Sequence, residues 1–177
     1  MTSAREPQPL WEPDGEFAQR TRLRAYEQWL AAYHGVEVAG YDELWVWSIG
    51  DLEGFWSSIA EYFAVRFHEP PRAVLDGAQM PGARWFAGAT LSYPEHIFSG
   101  RDPDDVAIRH ASELRPLATM TWGQLRELTA RIQAGLRALG VGHGDRVVAY
   151  MPNIPETVAA FLATAGLGAI WSSCSPD

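Results

Sequence analysis

The chain has 177 residues, of which 47% are hydrophobic and 12% aromatic, so it holds enough apolar material for a folded core and is not a disordered segment. Its formal net charge is −8, and residues 1–105 contain 17 of the 22 acidic residues but only eight of the 14 basic ones. An acidic front half argues against nucleic acid or an anionic membrane as a partner.

Cysteine content and hydropathy indicate a cytoplasmic protein. Cys174 is the only cysteine, which excludes an intrachain disulfide and favours a reducing compartment. The first residues lack the basic-then-apolar pattern of a signal peptide. The longest apolar run, Val158 to Trp171, is too short to span a bilayer and is typical of a buried helix followed by a buried strand.

Residues 1–70 are predicted to form a helical amino-terminal extension. Residues 1–13 are rich in proline and polar side chains and are expected to be a loose lead-in. An apolar stripe at helical spacing predicts one helix over residues 14 to about 34, and a second helix is predicted to begin near Asp51. Between them, the apolar residues 44–47 are interpreted as a short anchor to the core.

Residues 71–105 are predicted to be a loop-rich segment that wraps a larger body. They are rich in proline and glycine and show no sustained periodicity. The aromatic residues within this segment, Trp85, Phe86 and Tyr93, are expected to pin the loop to a core rather than to contact a ligand.

Residues 106–177 are predicted to begin an α/β domain. Two strands over residues 106–111 and 117–121 precede a capping box formed by Thr121 and Gln124. The clearest amphipathic helix of the chain follows over residues 122–139, where apolar side chains recur every three or four positions. A glycine after this helix is expected to provide the left-handed residue that ends it.

Residues 146–174 of this segment predict a parallel strand pair. Residues 146–151 and 169–174 are predicted strands, and Asn153 is predicted to cap the helix between them, with Pro155 in its first turn and Gly168 at its end. Parallel sheets need several strands and helices on both faces. We therefore expect the chain to be the amino-terminal part of a larger α/β protein, with the rest of the sheet lying outside it.

The two predicted strands are continuous apolar runs, which is the pattern of strands buried on both faces. A single crossover helix can cover only one of these faces. We therefore expect apolar surface left open at or beside Val148, Tyr150, Ile170 and Trp171.

No residue pattern names a reaction by itself. The glycines 140, 142 and 144 follow a helix and precede a strand, so they are interpreted as a helix end and a turn rather than a phosphate cradle. The five histidines are scattered and predict no metal site. The serines around Cys174 are more typical of a strand end than of a nucleophile, although ligands bind at the carboxyl ends of parallel strands.

Five segments of the chain resemble the adenylate-forming acyl-CoA synthetases of the acetyl-CoA synthetase branch. These segments are residues 47–56, 85–93, 121–125, 140–147 and 150–156. The ending Trp171-Ser-Ser-Cys-Ser-Pro-Asp177 is similar to the acetoacetyl-CoA synthetases, whereas acetyl- and propionyl-CoA synthetases usually carry a Gly-Gly-Phe-Ser-Pro sequence there. The resemblance covers nearly all of residues 10–177.

This resemblance implies a ligase that uses ATP, Mg²⁺ and coenzyme A. Acetoacetate and ATP would form acetoacetyl-adenylate, and the CoA thiol would then displace AMP. The family has a large amino-terminal domain and a small mobile carboxyl-terminal one, and its phosphate loop and catalytic lysine lie downstream of these motifs. The resemblance therefore assigns no catalytic residue and no metal ligand here. It places Ser172 and Ser173 at the wall of the CoA tunnel.

Two alternatives remain open. In the first, the complete protein is another short-chain acyl-CoA synthetase that acts on acetate or propionate. In the second, the 177 residues form a structural or binding module without catalytic activity. Small molecules are the expected partners in the first case, and neither nucleic acid nor a membrane is expected in either. No oligomeric state is predicted.

Overall fold

A computed structural model of the chain describes residues 10–176, so most of the lead-in predicted over residues 1–13 lies outside the described part. This part contains seven helices and six strands. They divide into two compact units, one made of residues 10–65 with 72–87 and the other of residues 66–71 with 88–176. No helix among the described residues is both long and apolar enough to cross a bilayer.

The first unit combines four helices with a small hairpin. Its elements are α1 (Gly15–Gln19), α2 (Arg22–His34), α3 (Tyr41–Gly50), α4 (Leu52–Tyr62), β1 (Ala73–Asp76) and β2 (Arg84–Ala87). The two strands pair antiparallel, with Leu75 opposite Trp85. Tyr26, Leu30 and Leu44 form the buried core between the helices.

The single helix predicted over residues 14–34 is wrong, because Thr21 interrupts it. The Thr21 backbone is extended, and its hydroxyl accepts a hydrogen bond from the Arg24 amide at 3.2 Å while donating one to the Ala18 carbonyl at 2.9 Å. The Thr21 hydroxyl thus caps the start of α2 and bonds a carbonyl at the end of α1. These side-chain hydrogen bonds replace the backbone hydrogen bonds that a continuous helix would make. Asp14 caps only the first short helix, through the Phe17 amide.

The apolar residues 44–47 lie inside helix α3 and are not a separate anchor. The helix predicted near Asp51 is confirmed as α4, and the Asp51 carboxylate accepts a hydrogen bond from the Gly54 amide at 2.9 Å. The segment 71–105 is not loop throughout, because it contains the hairpin and helix α5 (Tyr93–Phe98). The three-part division of the chain at residues 70 and 105 stays a prediction.

The second unit holds helix α5 and the α/β elements. They are β3 (Val106–Ser112), β4 (Arg115–Thr121), α6 (Trp122–Ala138), β5 (Arg146–Tyr150), α7 (Pro155–Ala165) and β6 (Ile170–Cys174). The two strands predicted over residues 106–111 and 117–121 are present as β3 and β4 and form an antiparallel hairpin, and β5 and β6 form the predicted parallel pair. The predicted fold class, the start of an α/β domain with a parallel strand pair, is confirmed.

Helix α6 is defined by signals at both ends. The Thr121 hydroxyl accepts a hydrogen bond from the Gln124 amide, and the Gln124 side chain accepts one from the Thr121 amide, as predicted. At the other end Gly140 has a φ of +88°, and the Val141 amide donates to the Leu136 carbonyl at 3.0 Å. The apolar stripe ends before Leu139, which is 82% exposed because the chain turns away from the core there.

Helix α7 packs against α6 and against β6 and forms the core of this unit. Leu125 of α6 is buried with Ala159 and Leu162 of α7, and burial of each leucine contributes about 2 kcal/mol. The predicted cap at Asn153 is wrong: the cap position is occupied by Ile154, whose side chain makes no capping bond. Pro155 takes the first helical position, where its missing amide proton costs nothing.

Candidate functional site

The carboxyl edge of the β5–β6 pair is the site that the topology favours, because ligands of α/β proteins bind where parallel strands end. The two strands remain paired there, and the Met151 amide donates a hydrogen bond to the Cys174 carbonyl at 3.3 Å. The Tyr150 hydroxyl donates to the Pro176 carbonyl at 3.1 Å. Tyr150 therefore ties the end of β5 to the segment that follows β6.

The two serines predicted to line the CoA tunnel lie on opposite faces of this pair. Ser172 is registered with Val148 and Ser173 with Ala149, and successive side chains of a strand alternate between faces. Val148 is 74% exposed, whereas Ala149 is buried. A ligand lying along one face therefore meets one of these serines and not the other, and their role as a tunnel wall stays a proposal.

Ser173 shares its face with Trp171, and the two side chains are joined. The Trp171 indole Nε1 donates a hydrogen bond to Ser173 Oγ at 3.2 Å. The Trp171 ring meets Phe161 of α7 at a centroid distance of 6.2 Å, and Phe161 meets Tyr93 of α5 at 5.9 Å. The sequence analysis did not predict this hydrogen bond. The two-residue spacing of Trp171 and Ser173 could have indicated it, because residues two apart in a strand share a face.

The opposite face of the strand pair is open and apolar. Val148, Tyr150 and Ile170 are 74%, 69% and 55% exposed. The predicted open surface is therefore confirmed at these three residues, while Trp171 lies half-buried on the other face. Large apolar side chains grouped on one exposed face mark a surface that binds other protein or ligand.

The glycine-rich turn lies at the opposite, amino-terminal end of the strands. The Gly142 amide donates to the Asp145 carboxylate at 2.8 Å, and the Gly144 amide donates to the Gly168 carbonyl at 2.9 Å. Both amides are thus used within the fold, and no helix begins here to direct amides at an anion. The interpretation of these glycines as a helix end and a turn is confirmed.

One ion pair links the β3–β4 hairpin to the start of α7. Arg115 Nη1 lies 3.1 Å from Glu156 Oε1, and both side chains are about half exposed. A hydrogen bond to the backbone amide of Glu156, in the first helical turn, lowers the pKa of its carboxyl group, and Arg115 lowers it further against a partial desolvation.

We expect Glu156→Gln to lower the free energy of unfolding slightly at neutral pH and to leave it unaltered in acid. The folded-state pKa lies below the ordinary 4.5, so the charge stabilises the fold above that pH, and this contribution is lost as pH falls through the folded-state pKa. The effect should be about 0.5 kcal/mol, because the pair is exposed. Melting temperatures of the two forms should differ at pH 7 and converge as the pH falls through the folded-state pKa of Glu156. Glu127→Gln, at an exposed position of α6, is the matched control.

The histidines and acids of the described residues form no group of three that could hold a metal ion. Two separate pairs occur, His34 with Glu61 at 3.2 Å and His68 with Glu95 at 2.6 Å, and they lie in different units. The serines around Cys174 lie at the exposed end of strand β6.

A concave surface lies among helices α2, α3 and α4, in the unit that does not contain the β5–β6 strand pair. It is a mostly apolar cleft of about 600 Å³, bordered by Leu44, Phe55 and Ile59. Tyr26 also borders it, and the Tyr26 hydroxyl lies 2.6 Å from Ser58 Oγ. Burial raises the pKa of this tyrosine, which the Ser58 hydrogen bond partly offsets. The sequence patterns did not predict this cleft.

Two family models match the chain. The model described as AMP-binding enzyme matches residues 98–177, and the one described as acetyl-coenzyme A synthetase N-terminus matches residues 41–96. The first therefore includes β5, α7, β6 and the candidate site. The second includes α3 and α4, two of the three helices around the apolar cleft.

Individual proteins are similar over almost the whole chain. The acetoacetyl-coenzyme A synthetase of Rhizobium meliloti (strain 1021) is 40% identical over 169 residues, covering 96% of this chain and 26% of the relative. The acetoacetyl-CoA synthetase of Macaca fascicularis is 35% identical, covering 97% and 26%. The malonamoyl-CoA synthetase of Penicillium aethiopicum is 32% identical, covering 98% and 25%.

A solved structure is similar in fold as well as in sequence. The acetoacetyl-CoA synthetase from Streptomyces lividans superimposes with a TM-score of 0.91 at 46% identity, covering 97% of this chain and 27% of that one. The chain thus spans about a quarter of the length of the relatives that it matches.

Proposed function

Because the chain belongs to the AMP-binding enzymes of the acetyl-coenzyme A synthetase branch and matches the amino-terminal region of acetoacetyl-CoA synthetases, we propose that the complete enzyme ligates acetoacetate to coenzyme A. ATP would activate the carboxylate as acetoacetyl-adenylate with release of pyrophosphate, and the CoA thiol would then replace AMP. The observation that carries the proposal is the match at 46% identity over 97% of the chain to a solved enzyme of this name.

The residues of this chain have a supporting part in that reaction. Helix α7 and strand β6 would build one side of the carboxyl edge, and Ser172 or Ser173 would contact coenzyme A there. Mg²⁺ is part of the proposed chemistry, but the described residues contain no group of three ligands to hold it. We therefore assign it no ligand among them and derive no step from it. A cytoplasmic location is part of the proposal and rests on the single cysteine.

A second candidate function is the ligation of another short-chain acid to CoA. The similarity to a malonamoyl-CoA synthetase, at 32% identity over 98% of the chain, favours it specifically. Both candidates share the adenylation and thiol-transfer steps and differ only in the acid that is accepted.

The test is a substrate panel on the complete enzyme. We expect kcat/KM for acetoacetate to exceed that for butyrate by at least about 100-fold, because a site built to hydrogen-bond a keto oxygen leaves its polar groups unpaired with the analogue that lacks it. Butyrate is the matched control, since it has the same carbon number without the 3-keto group.

Acetate, propionate and malonamate complete the panel. Equal or better use of acetate or propionate, or a preference for malonamate, would move the assignment to the second candidate. If none of the acids supports release of AMP and pyrophosphate, both candidate functions are contradicted.

A further inference from the structure

We propose that Trp171 is a positioning residue for the thiol-transfer step: its indole N–H holds the Ser173 hydroxyl as a hydrogen-bond donor aimed at the pantetheine chain of CoA. This inference rests on the proposed function, because it requires coenzyme A to pass the carboxyl edge of β6. It goes further than that function by naming which of the two serines acts and what orients it.

The direction of the hydrogen bond carries the argument. An indole nitrogen can only donate, so at the observed Nε1–Oγ distance of 3.2 Å the oxygen of Ser173 is the acceptor. The hydroxyl proton of Ser173 must then point away from Trp171. Ser173 is exposed among the described residues, so this part of the chain leaves its hydroxyl proton accessible to a ligand.

Packing holds Trp171 in the orientation that this requires. The Trp171 and Phe161 rings pack edge-to-face, with a centroid distance of 6.2 Å and an interplanar angle of 65°. The Phe161 ring in turn lies 5.9 Å from the Tyr93 ring, centroid to centroid. In the sheet Trp171 is registered with Val147 on the face that α7 covers. Edge-to-face contacts of this kind favour one ring orientation.

The chemistry of the ligand follows from the donor. Pantetheine is an extended chain with two amide groups, and their carbonyl oxygens accept hydrogen bonds from a hydroxyl. Ser172 has no such orienting partner among the described residues and lies on the other face, beside Val148 and Tyr150. A contact with pantetheine matters for thiol transfer and not for adenylation, which precedes it.

The experiment compares Trp171→Phe, Ser173→Ala and the double variant in the complete enzyme. Phenylalanine keeps an aromatic ring beside Phe161 but removes the N–H. We expect each single variant to raise KM for CoA about three- to tenfold, the effect of one hydrogen bond, with acetoacetate-dependent ATP–pyrophosphate exchange retained. The double variant should add little to either single one, because both remove the same interaction. Pantetheine used in place of CoA should show the same fold-change.

Trp122→Phe is the matched control, since Trp122 is also half-buried and meets Phe98 edge-on at 6.2 Å. It should leave KM for CoA unaltered. An unchanged KM in either single variant, an equal loss of ATP–pyrophosphate exchange, or a shift for CoA but not for pantetheine would overturn the inference. Absence of exchange in the unmodified enzyme would instead contradict the proposed function.

Discussion

Purified residues 1–177 should catalyse no acetoacetate-dependent exchange between ATP and pyrophosphate. Adenylation needs cationic groups placed against the phosphate charge that develops in the transition state. The chain contains no lysine, and the family resemblance puts the catalytic lysine downstream of its motifs. We therefore expect complete loss of activity relative to the complete enzyme.

The complete enzyme, assayed in the same preparation buffer, is the positive control for this exchange. Mixing it with an excess of the purified segment tests whether the segment inhibits. Exchange above background by residues 1–177, dependent on acetoacetate and reproducible after a second purification, would contradict the prediction. It would also require catalytic groups among residues that we assign to a supporting role.

Adjacent residues of strand β5 should respond in opposite ways to the same substitution. Val147→Asp puts a carboxylate on the face covered by α7 and should destabilise the isolated segment by about 2 kcal/mol, because the charge loses solvent without gaining a partner. Val148 is 74% exposed, so Val148→Asp should leave stability nearly unaltered in the isolated segment. It should also reduce the binding of a hydrophobic dye to the open face.

Chemical denaturation and dye fluorescence of the isolated segment check both outcomes, and each variant serves as the control for the other. In the complete enzyme, Val148→Asp should become as damaging as Val147→Asp if further elements cover the open face. A segment that binds no dye, remains monomeric and melts cooperatively would contradict the proposed uncovered surface. Equal destabilisation by the two variants in the isolated segment would contradict the assignment of the two faces.

Helix ends were predictable where the deciding hydrogen bonds join residues three to five apart. The capping box of Thr121 and Gln124, the cap at Asp51 and the left-handed Gly140 are all of this kind. The interruption at Thr21 was missed although its hydroxyl is also local, because the apolar stripe continues through it. The cap at Asn153 was wrong because Pro155 takes the first helical position and so leaves the extended Ile154 as the cap residue.

The candidate site was also predicted from the sequence only in part. Apolar runs over two strands determined from sequence alone that a parallel pair forms and that one of its faces stays open. The motifs likewise identified the family and the neighbourhood of Ser172 and Ser173. Neither observation says which serine faces which way.

The sequence by itself thus determined the family, the order of the elements from β3 to β6 and several of the helix ends. Only the tertiary structure decided that Ser172 shares a face with Val148. It also decided that Ser173 is hydrogen-bonded to Trp171, on the face where Trp171 packs against α7. The physical reason is that a strand has a two-residue side-chain period but no preferred side until a helix covers it. That choice depends on contacts such as Trp171 with Phe161, between residues that lie in different elements.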